Sequence, residues 1–252
     1  MIPYSDTVRG RGFPYVNVAL IIANLLVFMY QVTLSQQEII GDFTELDRFI
    51  NEWGNIPACT FDALGWGELT VAGATRCDAQ PYPLLTVISS MFIHGGWLHL
   101  AGNMLFLWIF GDNVEEAMGH VRYLAFYFLC GIAGAFAQGL TDVDSLVPAI
   151  GASGAIFGVM GGYVLLYPRG AIYAFPFFFI PIPAWAFIGV YFFLQLNAGI
   201  AGLGPDAVGA GDGVAYFAHI GGFVAGLALV KPFMWGRPRP ARRRTHRAEE
   251  AW

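Results

Sequence analysis

Hydrophobic residues run through this chain in long blocks, separated by shorter stretches that collect nearly all of its charge. Six blocks, roughly 15–34, 95–114, 121–140, 146–166, 172–197 and 213–234, are long enough for bilayer-spanning helices. Such a helix needs about 20 mostly apolar residues at ~1.5 Å rise each. A further apolar run, Leu84–Ile93, is too short to cross and is expected to lie along the interface, leading into the second span. The first block is not read as a cleaved leader, because its apolar run is too long and no small-residue cleavage site precedes a soluble body. No repeat or second domain is evident. The expected organisation is an N-terminal segment 1–14, one six-span body 15–235 and a basic tail 236–252. Within the body, 35–83 reads as a long outer loop and 198–213 as a Gly-rich cap loop.

Composition agrees with the pattern. Of 252 residues, 56% are hydrophobic and 12% charged, where soluble domains carry about 25% charged residues. Mean hydropathy is +0.56. An all-α polytopic membrane protein fits; a disordered chain, a disulfide-rich secreted mini-protein and a basic nucleic-acid binder do not. The formal charge of −5 gains meaning only when divided by side. With both termini in the cytoplasm, the inner segments hold 11 of the 13 basic residues, and only Arg48 and Arg76 fall outside. The acids divide the other way, so the net charge is +5 inside and −10 outside. The positive-inside rule favours that orientation, and a bacterial inner (plasma) membrane suits it. The basic tail Arg237–Arg247 is then the cytoplasmic end of the last span rather than a nucleic-acid patch. Cys59 and Cys77, 18 residues apart in the outer loop, leave a disulfide open. Cys130 reads as a small apolar core residue, and His120 and His246 as solvent-facing.

Polar side chains inside a span need a partner or a water-filled cavity. In the first span Asn17, Asn24 and Gln31 recur every seven residues and are expected to bond neighbouring helices. The second, fourth and sixth spans all enter from the outside. The second carries His99 and Asn103 on one face, with His94 just above; the fourth carries Ser153; the sixth carries His219. Ser153 is counted as about seven residues into its span and His219 about six, roughly 10 Å below the outer surface. Gly154 and Gly158 on the fourth span, and Gly222 and Gly226 on the sixth, form small-xxx-small pairs that let backbones approach. A hydroxyl and an imidazole brought together this way meet the need of nucleophilic catalysis, in which a base takes the serine proton. Asn103, His99 and the Ser153 backbone N–H are candidate donors to the oxyanion. No membrane Asp or Glu stands ready to orient His219, so a dyad is expected, with Phe157 holding the ring by stacking.

Other chemistries fit less well. There is no His-Glu-x-x-His for a buried zinc protease, and His94, His99 and His219 lack a carboxylate or Cys companion for a metal. No metal and no cofactor are expected. Gly209-Ala210-Gly211-Asp212 has the Gly-x-Gly-Asp pattern of aspartyl chemistry, which needs a second facing carboxylate that no span supplies. The Gly-x-Gly runs near 199–213 follow no strand, which excludes a dinucleotide site. A small-solute transporter would show repeats or charges deep in a span, and neither is evident.

Three motifs, His94-Gly-Gly-Trp-Leu-His99-Leu-Ala-Gly-Asn103, Gly151-Ala-Ser153-Gly-Ala-Ile-Phe157-Gly158 and Ala218-His219-Ile-Gly-Gly222, resemble those of the rhomboid intramembrane serine proteases, over essentially Tyr15 to Trp235. The resemblance implies a six-transmembrane-helix bundle of rhomboid type, with Ser153 as nucleophile and His219 as its base. It implies that His99 and Asn103 stabilise the oxyanion, that His94 and Gly151 line the site, and that the substrate is another protein's membrane span, cut near its outer end. A non-proteolytic role, binding or chaperoning membrane proteins as the family's pseudoproteases do, is the alternative; those proteins lose the Ser or the His. Two departures stand out: neither Trp53 nor Trp66 is followed by the Arg of the family's outer loop, and Phe157 stands where some relatives have Tyr. The partners implied are transmembrane protein substrates and the bilayer, with no nucleic acid; the oligomeric state is not legible. The aromatic fifth span (Phe175, Phe177, Phe178, Phe179, Phe187, Phe192, Phe193) reads as lipid-facing or as a gate, and 198–213 as a mobile cap.

Overall fold

In the computed structural model, which describes residues 1–8, 12–35, 37–40, 43–67, 69, 71–202 and 214–238, a short strand β1 (Ile2–Asp6) precedes α1 (Tyr15–Leu34). The first helix receives no cap from Pro14. Its leading N–H groups are capped from a distance: the buried Glu115 carboxylate accepts from Val16 and Asn17. The polar stripe on α1 ties it to its neighbours. Asn17 donates to the Leu107 carbonyl and accepts from the Tyr123 hydroxyl, and Gln31 exchanges two hydrogen bonds with the backbone of His94. The Asn24 amide donates back to Leu20 in its own helix.

Much of segment 35–83 is built structure. The strands β2 (Glu38–Ile40) and β3 (Phe43–Thr44) pair, and α2 (Glu45–Trp53), α3 (Pro57–Ala63) and α4 (Val71–Cys77) follow. Thr44 and Asp47 form a reciprocal capping box at the start of α2, and Pro57 opens α3. Cys59 and Cys77 are joined in a disulfide, linking α3 to α4. An antiparallel bridge between Asn55 and Ala149 fastens this layer to the body. The short apolar run becomes α5 (Pro83–Ser89) and a 3-10 turn, Ser90–Phe92, bent by 83° from α6 (Trp97–Met118). The next helix is α7 (His120–Gly139).

Three boundaries differ from the sequence reading. The fourth helix, α8 (Ser153–Leu166), has 14 residues and begins at 153, not 146. Residues 146–152 are held outside it by the Asn55–Ala149 bridge and by the Gly151 N–H, which donates to Ser90. Gly151 has φ +121°, a conformation L side chains rarely adopt. Second, residues 172–183 are not helical. They belong to the hairpin β4 (Ala171–Phe175) and β5 (Phe177–Pro183), and β1 adds to it antiparallel in the order β1-β4-β5. Pro176, Pro181 and Pro183 explain this, since each lacks an N–H and would clash with the preceding helical turn. Helix α9 (Ala184–Ala201) starts only after the last of them. Third, α9 runs to Ala201, so residues 198–201 of the expected cap loop are helix; 203–213, including Gly209–Asp212, lie outside the described residues, as does 239–252. The last helix is α10 (Tyr216–Phe233).

Helix α8 forms the centre, buried from Gly154 to Tyr163 and packed by α6, α7 and α10. Glycines permit this approach. A Cβ on Gly222 would collide with the Gly154 carbonyl oxygen, one on Gly226 with the Gly158 carbonyl oxygen, and one on Gly158 with Cys130 of α7. At the far end of the bundle from Ser153, the Tyr163 hydroxyl and the Asn113 amide donate to Asp6, which pins β1 beneath the helices. Arg237 donates to the Ala117 and Glu116 carbonyls at the end of α6, and His120 pairs with Glu115 instead of simply facing solvent. Among the described residues four helices, α1, α7, α9 and α10, are long and apolar enough to cross a membrane. The α5–α6 pair passes the same test together, and α8 is a shorter apolar helix. The architecture is that of a mostly helical membrane bundle.

Candidate active site

Two helix beginnings meet at the candidate site. Ser153 is the first residue of α8, and His219 lies in the first turn of α10. The serine is therefore not buried several residues inside a helix, as its position in the apolar block suggested; a non-helical lead-in carries it there. A side chain at this place stands next to backbone N–H groups that precede the first intrahelical bond, from Ile156 N–H to Ala152. Neither helix is capped by its own N-cap side chain. For α10 the cap comes from α7: Gln138 Oε1 accepts from the N–H groups of Phe217 and Ala218. That bond fixes the turn that carries the histidine.

The imidazole is held on three sides. Its Nε2 lies 2.8 Å from Ser153 Oγ, and its Nδ1 lies 2.6 Å from Gln195 Oε1 on α9. Its face stacks on Phe157, with ring centroids 4.4 Å apart and planes 6° from parallel. The contact expected from Phe157, one helical turn after Ser153, is present without any hydroxyl. His219 itself is only 8% exposed.

Of the other singled-out residues, Gly151 stands beside Ser153 and His99 stands beside Gly151. The His99 ring lies against Gly151, where a Cβ would come within 2.8 Å of His99 Cε1. His94 packs edge-on to His99 at 5.1 Å, and its backbone is the partner of Gln31. Asn103 is buried, and its amide Nδ2 has no hydrogen-bond partner among the described residues. An unpaired buried donor is costly, and this one lies one helical turn after His99 on α6. Beside Ser153 lies a cavity of about 30 Å³ walled by small residues, including Gly131, Ala135, Gly151, Gly154 and Ala218. Its walls leave space on the scale of a small side chain. No group of three or more His, Cys, Asp or Glu among the described residues is arranged to hold a metal ion.

Two residues of this site escaped the sequence reading, Gln138 and Gln195. Gln138 is the single amide of α7, and Gln195 shares α9 only with Asn197; an amide in an apolar helix is the signal that marks each.

Comparison with known proteins points the same way. The model of the Rhomboid domain matches residues 81–235. Rhomboid protein 1, mitochondrial, of Saccharomyces cerevisiae is 33% identical over 147 residues, covering 57% of this chain and 40% of the yeast protein. Two Arabidopsis thaliana relatives align more fully. RHOMBOID-like protein 1 is 27% identical across 86% of this chain and 52% of its own length, and RHOMBOID-like protein 2 is 30% identical across 91% and 71%. The chain thus spans about half the length of the first of these relatives and less of the yeast protein.

Proposed function

Since the chain belongs to the rhomboid family, we propose that it is an intramembrane serine endopeptidase, with Ser153 as nucleophile and His219 as general base. The observation that carries this reading is the 2.8 Å contact between Ser153 Oγ and His219 Nε2 at the start of α8. As Oγ attacks the scissile carbonyl carbon, Nε2 takes the hydroxyl proton. Charge collects on the carbonyl oxygen, where the Asn103 amide, His99 and the N–H groups that precede the first intrahelical bond of α8 are the proposed donors. The imidazolium then returns its proton to the departing amine, leaving an acyl-serine. Water activated by the same histidine releases the acid. The small-walled cavity beside Ser153 supports a preference for a small residue at the cut.

The substrate class is a transmembrane segment of another protein, cleaved near the end of the bundle where α8 and α10 begin. The chain is an integral multi-pass membrane protein. In the proposal α1, α5–α6, α7, α8, α9 and α10 supply six spans, both termini face the cytoplasm, and Ser153 lies toward the outer face of a bacterial inner (plasma) membrane. The charge asymmetry of +5 against −10 supports this orientation. The yeast relative is named as mitochondrial, and that is a statement about the yeast protein.

The test is labelling of the purified protein with a fluorophosphonate probe, together with cleavage of a model transmembrane substrate. Both are expected to disappear in Ser153→Ala and in His219→Ala. A Ser153→Ala protein that still cleaves would refute the reading. A wild-type protein that neither labels nor cleaves would leave the non-proteolytic binding role in its place.

A further inference from the structure

We propose that Gln195, on α9, is the positioning residue of the base: it accepts the Nδ1 proton of His219 and so keeps the Nε2 lone pair turned toward Ser153. The inference rests on the reading of Ser153 and His219 as nucleophile and base, and adds a third member to that pair from a third helix.

A neutral imidazole carries a single ring proton, and whichever nitrogen lacks it is the acceptor. Only the Nδ1–H form lets Nε2 receive the serine hydroxyl. What the other nitrogen bonds to decides which form is present. The stack on Phe157 cannot make that choice, because a face-on contact is unchanged when the ring turns over in its own plane or its proton moves. Among the described residues, the hydrogen-bond partners of the ring nitrogens are Ser153 Oγ at Nε2 and Gln195 Oε1 at Nδ1. Tyr216 meets it edge-on at 6.5 Å between centroids, and Gln138 bonds the backbone rather than the ring. The Gln195 carbonyl oxygen, 2.6 Å from Nδ1, makes the choice. An amide oxygen is an acceptor only, so it excludes the tautomer in which Nδ1 carries the lone pair. It remains bonded when Nε2 gains and loses the catalytic proton, since Nδ1 is protonated in both states.

The choice of residue also fits its surroundings. An ionised carboxylate at this place would have to be taken out of water into a membrane helix, at a cost well above that of an amide. Glutamine therefore orients the ring without adding a charge. Its place on α9 means that the base is assembled from α8, α9 and α10 together.

The test uses the full chain in detergent with Gln195→Leu, which keeps the approximate size and removes the acceptor, and Gln195→Glu, which retains an oxygen. Q195L is expected to lower kcat on a transmembrane substrate about 10-fold or more, with KM within about twofold. Q195E is expected to recover most of that loss. In protein labelled with 15N-histidine, the His219 signal, assigned by difference against His219→Gln, should report a single Nδ1-protonated tautomer in the wild type and a mixture in Q195L. The inference is overturned if Q195L keeps wild-type kcat, if its histidine stays wholly Nδ1-protonated, or if Q195E loses as much as Q195L. These outcomes are read in protein whose Ser153 accepts the fluorophosphonate probe; absence of labelling in the wild type would instead refute the functional reading itself.

Discussion

The amide Nδ2 of Asn103 has no hydrogen-bond partner in the described fold to lose. Its replacement therefore separates function from stability. Asn103→Ala should lower kcat roughly 100-fold or more, the range for one oxyanion donor, while the unfolding midpoint in detergent stays level or rises, because a buried unpaired donor is removed. A fall in stability matching the fall in activity would instead mark Asn103 as a structural residue. Phe157 is probed by shape alone. Phe157→Tyr keeps a ring against His219 and should retain most activity, whereas Phe157→Leu loses the stack and should lower kcat with little change in KM. Polar residues in the spans were readable individually, because any amide, hydroxyl or imidazole in an apolar block stands out. Gln195 shows the limit of that reading: its partner is 24 positions away on another helix, and no local pattern links the two.

At the scale of elements, the α8–α10 contact is the joint on which the site depends. The glycines differ in how closely they are approached. Positions 222 and 226 face carbonyl oxygens with no room for a methyl group, whereas a Cβ on Gly154 would stand 3.3 Å from the Ala218 oxygen. Gly222→Ala and Gly226→Ala should each cost about 1–3 kcal/mol, measured by denaturant unfolding in micelles, and Gly154→Ala distinctly less. An equal cost at all three would contradict this packing. Small residues at spacing four were visible in the sequence, but which of them lies against a carbonyl depends on the rotation of both helices. Element ends were legible where the signal was chemical. Thr44 and Asp47 mark the start of α2 locally, and the three prolines of 176–183 mark the delayed start of α9. Hydropathy alone ran past both the prolines and Gly151, because it records how well a residue suits lipid and says nothing of backbone geometry.

Across the whole molecule, the chain's first strand is tied to the end of the bundle opposite Ser153 through Asp6. Burial pushes the Asp6 carboxyl up to about 6, against the opposing effect of the Tyr163 hydroxyl that donates to it. The folded state therefore binds the proton more tightly than the unfolded chain, whose carboxyl titrates at 3.8. The contribution of Asp6 to stability should fall as pH rises from about 4 to about 6, by up to roughly 3 kcal/mol. Asp6→Asn should flatten this part of the curve. Thermal unfolding between pH 4 and 7 checks it, and a wild-type curve that rises through the window would show that Asp6 is not the group in control.

The amino-acid sequence by itself determined that this is a membrane helical protein of the rhomboid family, since apolar block length and short motifs are local properties that lipid and chemistry read directly. It also marked which few residues could not be lipid-facing filler. Tertiary structure alone decided that α8 begins at Ser153, that residues 171–183 fold as strands against β1, that Glu115 and Gln138 cap helices not their own, and that Ser153, His219 and Gln195 form one hydrogen-bonded line. The reason is physical. Entry into a membrane depends on summed side-chain transfer energies along one segment, whereas a hydrogen bond between helices depends on distances of a few tenths of an ångström, set by how glycines let separate segments approach.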